Sequence, residues 1–242
     1  MAQTDYDALA GAYSRGRKPF PSVIENLIGH GRITAQSNVL EVGCGTGNHI
    51  SALVRQLDCQ GWGLEPSSSM LSHTHPDLDI QFLQGSAEQL PLESDQFDIV
   101  FSVDVIHHVQ GKPDYFSEAF RVLKPGGWLC TVTETHEMIK QRKPQSDYFY
   151  ASALADCERY PAIGDLKQMM ADTGFFDIKT QSVTDHYEIT DAASYEEKAY
   201  SSLLLISEEN FQSGLDNMKR DLALHPLEGC SHRLCLWGNK SK

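Results

Sequence analysis

Apolar residues along the chain follow two alternating rhythms. Short apolar runs bounded by Gly, Pro, Asp or Ser precede stretches whose apolar residues recur at i, i+3, i+4 and i+7. The run Val39–Val42 leads into a helical pattern on Ile50, Leu53, Val54 and Leu57. Gln60–Glu65 leads into Pro66-Ser-Ser-Ser-Met70, a segment with good N-caps. Further runs cover Asp79–Gly85, Gln96–Ser102 and Trp128–Thr133. Between the last two lies an amphipathic helix from Asp114 to Lys124 with Phe116, Ala119, Phe120 and Leu123 inward. Pro125-Gly-Gly127 is expected to stop it, since proline cannot continue a helix and glycine permits the reversal. Strands alternating with helices predict an α/β domain built on a parallel sheet.

Outside this core, Ser22-Val-Ile-Glu25 is a capping box opening a helix with Val23, Ile24, Leu27 and Ile28 on one face. Pro161–Gly174 reads as a helix, Phe175–Val183 as a strand and Ser231–Trp237 as the final strand. Helical patterns cover Ala193–Ile206 and Ser207–Leu222. No repeat or linker interrupts the chain, which suits a single domain over 1–242. Its parts are a helical cap at 1–34, a core at 35–183, a helical insertion at 184–230 and a last strand at 231–242.

The segment Val39–His49 reads as strand, glycine turn and helix, with Gly43, Gly45 and Gly47 at alternate positions. Such a turn brings a ligand against the main chain at a helix N-terminus. A dinucleotide fingerprint needs its third glycine at position 48, which is Asn48, and this argues against a nicotinamide enzyme. The observed acid-x-Gly-x-Gly-x-Gly, starting at Glu41, instead resembles the first motif of class I S-adenosylmethionine-dependent methyltransferases. Glu65 ending the second strand, the Ser86 loop, the Phe97–Val109 segment and Leu-Lys-Pro-Gly-Gly at 123–127 extend that resemblance over residues 39–133.

The resemblance implies a doubly wound α/β fold. Its seven-stranded sheet is mostly parallel, with one antiparallel strand near the edge, order 3-2-1-4-5-7-6 and a helical insertion before the last strand. It implies S-adenosyl-L-methionine as cofactor, held around Glu41, Gly43, Cys44, Gly45 and Gly47. Glu65 would accept the ribose hydroxyls, with Pro66 beside it, and Ser86 and Ala87 would lie along the adenine. Ser102 and Val103 would contact the cofactor at the carboxyl edge of the sheet, where open α/β folds bind ligands. Tyr13 and Arg17 match positions that help hold the methionine carboxylate. The chain departs from the pattern at Ser14 and Ser86, where the family usually has Asp. His107 and His108 are the candidate catalytic residues, as base or as pocket-shaping groups, since imidazole titrates near neutrality.

A formal net charge of −13 argues globally against nucleic acid, which requires clustered Lys and Arg, and a small-molecule acceptor is the expected partner. No apolar run approaches the roughly 20 residues of a membrane span, and the N-terminus has no signal-type apolar region, so a cytoplasmic enzyme is expected. Six scattered cysteines without a Cys-x-x-Cys suit a reducing compartment. Cys230 and Cys235 could hold a soft metal but read more simply as core, and no metal is expected. Tyr148-Phe-Tyr150 could wall the acceptor pocket beneath a lid made from the N-terminal stretch through Phe20 or the helices from Ala193 to Leu222, and the acidic balance favours a cationic acceptor there. The alternatives are a non-catalytic module binding S-adenosylmethionine or S-adenosylhomocysteine, and a methyltransferase acting on RNA or protein.

Overall fold

Strict alternation along the central strands assigns each apolar residue to one of two faces. The computed structural model describes residues 18–74 and 78–241. In chain order they form α1 (Pro21–Gly31), β1 (Asn38–Val42), α2 (Asn48–Leu57), β2 (Gln60–Glu65), α3 (Ser68–Leu71) and β3 (Ile80–Gln84). Next come β4 (Phe97–Val103), α4 (Lys112–Val122), β5 (Leu123–Thr133), α5 (His136–Lys140), α6 (Gln145–Tyr148) and α7 (Tyr150–Arg159). The chain closes with α8 (Ile163–Thr173), β6 (Phe176–Ile189), α9 (Ala193–Glu196), a 3-10 turn (Ser201–Leu205), α10 (Glu208–Leu222) and β7 (Leu227–Asn239).

The strands make one sheet of order β3-β2-β1-β4-β5-β7-β6, with β7 antiparallel to both neighbours. This is the order expected from the sequence. Val39, Ile99, Phe101, Cys130, Val132 and Trp237 face α1 and α2, where Leu27, Ile50 and Leu53 complete a buried layer. Leu40, Val42, Val100, Leu129 and Leu236 face the other way, against Phe116, Ala119 and Val122 of α4 and Leu166 and Met170 of α8. Both faces are therefore covered, as a parallel sheet requires.

Three expectations are corrected, and one layer of helices is new. The helix before Pro125 ends at Val122, and Leu123 already pairs with Phe97, so Pro-Gly-Gly lies within β5, where its register with β4 shifts between the Phe97–Leu123 and Ile99–Trp128 pairs. Strand β6 runs on to Ile189 and β7 begins at Leu227, so residues 184–189 and 227–230 extend a long antiparallel ribbon instead of belonging to a helical insertion. The helix expected over 193–206 is only α9 and a 3-10 turn, broken at Lys198 with φ of 48°. Breaking it lets Tyr195 and Leu203 enter one small core with Phe149, Phe211 and Met218 while Tyr200 and Ser201 turn toward a cavity, and this packing overrides local propensity. Finally, α5, α6 and α7 form an unforeseen second helical layer over the carboxyl edge.

On the α1 side, His30 sits between two indoles, 5.0 Å edge-on from Trp128 and 4.3 Å from Trp237. Burial lowers its pKa, and Lys179 adds to the effect. The unfolded chain therefore takes up this proton first as pH falls below about 6.5. Stability is lost as pH drops through that value toward the lower folded pKa. Melting temperatures at pH 8 and pH 5.5 should show a smaller acid-induced drop for His30→Phe than for the parent chain.

Candidate functional site

At the end of β1 the backbone turns through Gly43, Gly45 and Gly47, with φ of 70°, 56° and 78°. L side chains avoid this left-handed region, and a methyl group at Gly47 would also stand 2.8 Å from the Phe82 ring. Glu41 is buried beneath the turn. Its carboxylate accepts the Ile50 N–H at 3.0 Å and lies 3.5 Å from His49 Nδ1, so it anchors the start of α2. His49 Nε2 in turn accepts the Phe20 N–H at 3.3 Å, tying the segment before α1 to the turn. Glu65, also buried, accepts the Gly45 N–H at 2.9 Å and the Ser67 N–H at 3.1 Å. A carboxylate has about four lone-pair sites, so holding these two N–H groups is compatible with accepting a diol. Pro66 follows it at the surface.

The remaining sequence candidates divide. Cys44 is buried, and burial pushes its thiol pKa well up, reinforced by Glu41 and Glu65, so it is inert as a nucleophile. The Ser86 hydroxyl donates to the Glu88 carboxylate, which also accepts the N–H groups of Gln110 and Gly111 at 3.2 and 3.4 Å. Burial pushes the Glu88 pKa up, but these hydrogen bonds outweigh it and leave the carboxyl below its ordinary value. Glu88 thus ties the loop after β3 to the start of α4, and Ala87 packs against the apolar layer under α4. Ser102 is the clearest departure: its side chain faces away from the carboxyl-edge cavities, 3.0 Å from the Tyr115 hydroxyl, which is 3.1 Å from Thr131. Burial of this triad pushes the Tyr115 pKa up to about 12. Val103, on the opposite face, lines a small recess of about 20 Å³ with Glu41, Gly43 and Cys44. Tyr13 and Arg17 lie outside the described residues. Cys230 and Cys235, an odd number apart on β7, point to opposite faces and cannot share a metal. Among the described residues, no cluster of three His, Cys, Asp or Glu is arranged to hold one, and no helix is long and apolar enough to cross a membrane.

Beside the glycine turn, a cavity of about 510 Å³ opens over the ends of β4, β5 and β7, and His107 and His108 line it. The His107 ring stacks on Tyr160 at 3.9 Å and lies 4.0 Å from His108. Asp104, Phe20 and Lys18 border both this cavity and the small recess. The wall is built on residues that sequence reasoning missed, an alternating chain Asp104–Arg233–Glu134–Arg142–Asp156–Arg159. Arg142 donates to Glu134 through Nε at 2.8 Å and Nη2 at 2.5 Å, and through Nη1 to Asp156. Arg159 Nε reaches Asp156 at 2.7 Å, and Arg233 reaches Asp104 at 3.2 Å and Glu134 at 3.5 Å. Burial alone would lower the Arg142 pKa, but Glu134, Tyr160 and Asp156 more than offset it and raise it well above normal. Only the Asp156–Arg159 pair, one helical turn apart, carried a sequence signal. The expected Tyr148–Tyr150 wall is absent. Phe149 is buried in the small core against Tyr195, the Tyr148 hydroxyl donates to Asp221 at 2.6 Å, and Tyr150 is exposed. Tyr160, Tyr187, Tyr195 and Tyr200 take that place.

Residues 40–131 match a family model described as a methyltransferase domain. The phthiotriol/phenolphthiotriol dimycocerosates methyltransferase of Mycobacterium leprae (strain TN) is 36% identical over 96 residues, covering 38% of this chain and 36% of that protein. The match thus spans little more than a third of such curated relatives. A solved methyltransferase from an antibiotic biosynthesis pathway of Anabaena variabilis ATCC 29413 superposes with TM-score 0.72 at 18% identity, covering 92% of this chain and 98% of that one. Phosphoethanolamine N-methyltransferase 2 of Haemonchus contortus, solved with phosphomonomethylethanolamine and S-adenosylhomocysteine, gives TM-score 0.63 at 18% identity, covering 98% of this chain and 58% of that one. The chain has the class I S-adenosylmethionine-dependent methyltransferase fold.

The ionic chain leads to a stability prediction. Removing one partner leaves buried charge uncompensated and costs about 3–5 kcal/mol, whereas an exposed pair contributes about 0–1 kcal/mol. Urea denaturation should therefore show a large loss for Arg142→Met and almost none for Lys219→Met, whose partner Glu196 is half exposed.

Proposed function

Starting from a methyltransferase domain in a class I fold, we propose that this chain transfers a methyl group from S-adenosylmethionine to a small-molecule acceptor in the 510 Å³ cavity. The observation carrying this reading is the adjacency of two sites. The glycine turn and Glu65 suit an adenosyl group, because Gly43, Gly45 and Gly47 put no side chain in the way of a ligand approaching the main chain. The cavity begins next to it, at Asp104 and Phe20. The cofactor, when bound, supplies an electrophilic methyl on a sulfonium, which an acceptor takes by in-line displacement.

The protein's own contribution is positioning, since the acceptor atom must be held about 3 Å from the methyl with water excluded. Glu65 and the backbone of residues 43–47 hold the nucleoside end, and the loop at Ser86 and Ala87 flanks the adenine. Tyr13 and Arg17 are proposed for the methionine carboxylate on the resemblance alone. His107 and His108 face the acceptor and are suited to take a proton from it. Segments 136–159 and 190–226 roof the acceptor, and the net charge of −13 supports a small molecule over RNA. Cytoplasmic location remains part of the same proposal, resting on composition.

Calorimetry with S-adenosylhomocysteine tests the reading without any acceptor. The parent chain should bind it and Gly45→Val should not, because valine cannot adopt φ of 56° without strain. Glu65→Ala should weaken binding by about 1.5–3 kcal/mol, the range for a hydrogen bond to a charged group. His107→Ala and His108→Ala should leave affinity nearly intact. Loss of binding in a histidine variant with retention in Glu65→Ala would overturn the assignment.

A further inference from the structure

We infer that the acceptor cavity selects an uncharged, hydrogen-bonding ring compound and discriminates against anions and cations alike. The inference rests on the reading of this cavity as the acceptor site. To hold a carboxylate or phosphate away from bulk water, a site needs an arginine or lysine whose charge is not already matched. To hold an ammonium it needs a carboxylate in the same condition. The six charges along the wall meet neither need.

Each inner member of the chain is matched on both sides. Arg142 spends three nitrogens on Glu134 and Asp156. Asp156 is shared between Arg142 and Arg159, whose Nη2 donates to Ser201 at 2.8 Å. Glu134 is shared between Arg142 and Arg233, and Arg233 also reaches Asp104. Three arginines alternate with three carboxylates, so the chain sums to zero. Glu134 and Asp156 are almost completely buried, and Arg142 and Arg233 nearly so. Drawing any one of them toward a charged ligand would strand its partner without water. Elsewhere on the lining, Lys18, Lys143 and Glu188 are exposed at the mouth, where water screens their charge, and Asp185 already accepts the N–H and hydroxyl of Ser22 at 3.0 and 2.6 Å.

What the wall does offer is aromatic surface and hydroxyl groups. Tyr160 backs His107 on one side, and Tyr195 and Tyr200 lie with ring centroids 5.0 Å apart on the other elements of the lining. Ser194 and the Tyr187 hydroxyl border the same space. A volume of about 510 Å³ suits a ligand of one or two rings.

Three phenols with the same ring and hydroxyl group separate the cases: 4-hydroxyphenethyl alcohol without charge, 4-hydroxybenzoate as anion and tyramine as cation. Each is titrated calorimetrically at pH 8, with and without saturating S-adenosylhomocysteine. The neutral alcohol should bind at least about tenfold tighter than either ion. Preference for an ion, equal binding of all three, or binding of none of them by folded protein would overturn the inference. The separate titration of S-adenosylhomocysteine alone reports on the functional reading, so the two failures are distinguishable. Two variants of opposite sign complete the test, with melting curves confirming that each is folded. Glu134→Gln leaves the chain with an excess positive charge and should shift preference toward 4-hydroxybenzoate by about tenfold. Arg159→Met, at the end of the chain, leaves an excess negative charge and should shift it toward tyramine. A folded variant of either kind with unchanged preference would also overturn the inference.

Discussion

A charge buried away from water must be matched where it lies, and this constraint organises the carboxyl edge of the sheet. Asp104 follows β4, Glu134 follows β5 and Arg233 sits within β7, so three neighbouring strands present charge to one buried wall. Arg142, Asp156 and Arg159 come from the helical layer above and complete the match. The helices at 136–159 are thereby fixed over the sheet by electrostatics as much as by apolar contact, since their own core is small: Ile139, Ala153 and Tyr160 with Cys157 against them. The cavity exists because this layer is held away from the sheet by long side chains that cannot collapse without stranding a charge.

The opposite half of the edge is built on backbone geometry. The left-handed turn at Gly43–Gly47 needs no side chains of its own, and two buried carboxylates hold it from below. Glu41 fixes the helix that follows and Glu65 fixes the turn itself. One side of the site is thus a close main-chain surface and the other a neutral, hydroxyl-lined chamber. Asp104 and Phe20 stand between them, with the Arg233 guanidinium 4.3 Å over the Phe20 ring. That division suits a reaction in which one partner is common to many enzymes and the other specific to this one.

Local physics made the first half legible and long-range contacts hid the second. Strand alternation places Val39, Leu40 and Val100 on their faces from sequence alone. The same rule, applied to Ser102, would have grouped it with Val100 and turned it toward Tyr115 and away from a ligand. Counting positions would likewise have separated Cys230 from Cys235. By contrast, Asp104 and Arg233 are 129 residues apart, and nothing in either neighbourhood announces the pair. The break at Lys198 follows from where Tyr195 and Leu203 must pack, a requirement set by Phe149 and Phe211 far along the chain. Gly214 shows the same dependence: a methyl group there would stand 2.5 Å from the Tyr148 carbonyl, so close helix packing chooses the glycine.

A crystal structure of the chain with S-adenosylhomocysteine bound tests the central claim, that a nucleoside site on the glycine turn opens directly into the acceptor chamber. The account predicts the ribose hydroxyls on Glu65, the homocysteine arm along Gly43–Gly47, and the sulfur facing the chamber past Asp104. A nucleoside lodged among Arg142, Tyr160 and Tyr200 instead, or a sulfur directed away from that chamber, would contradict it.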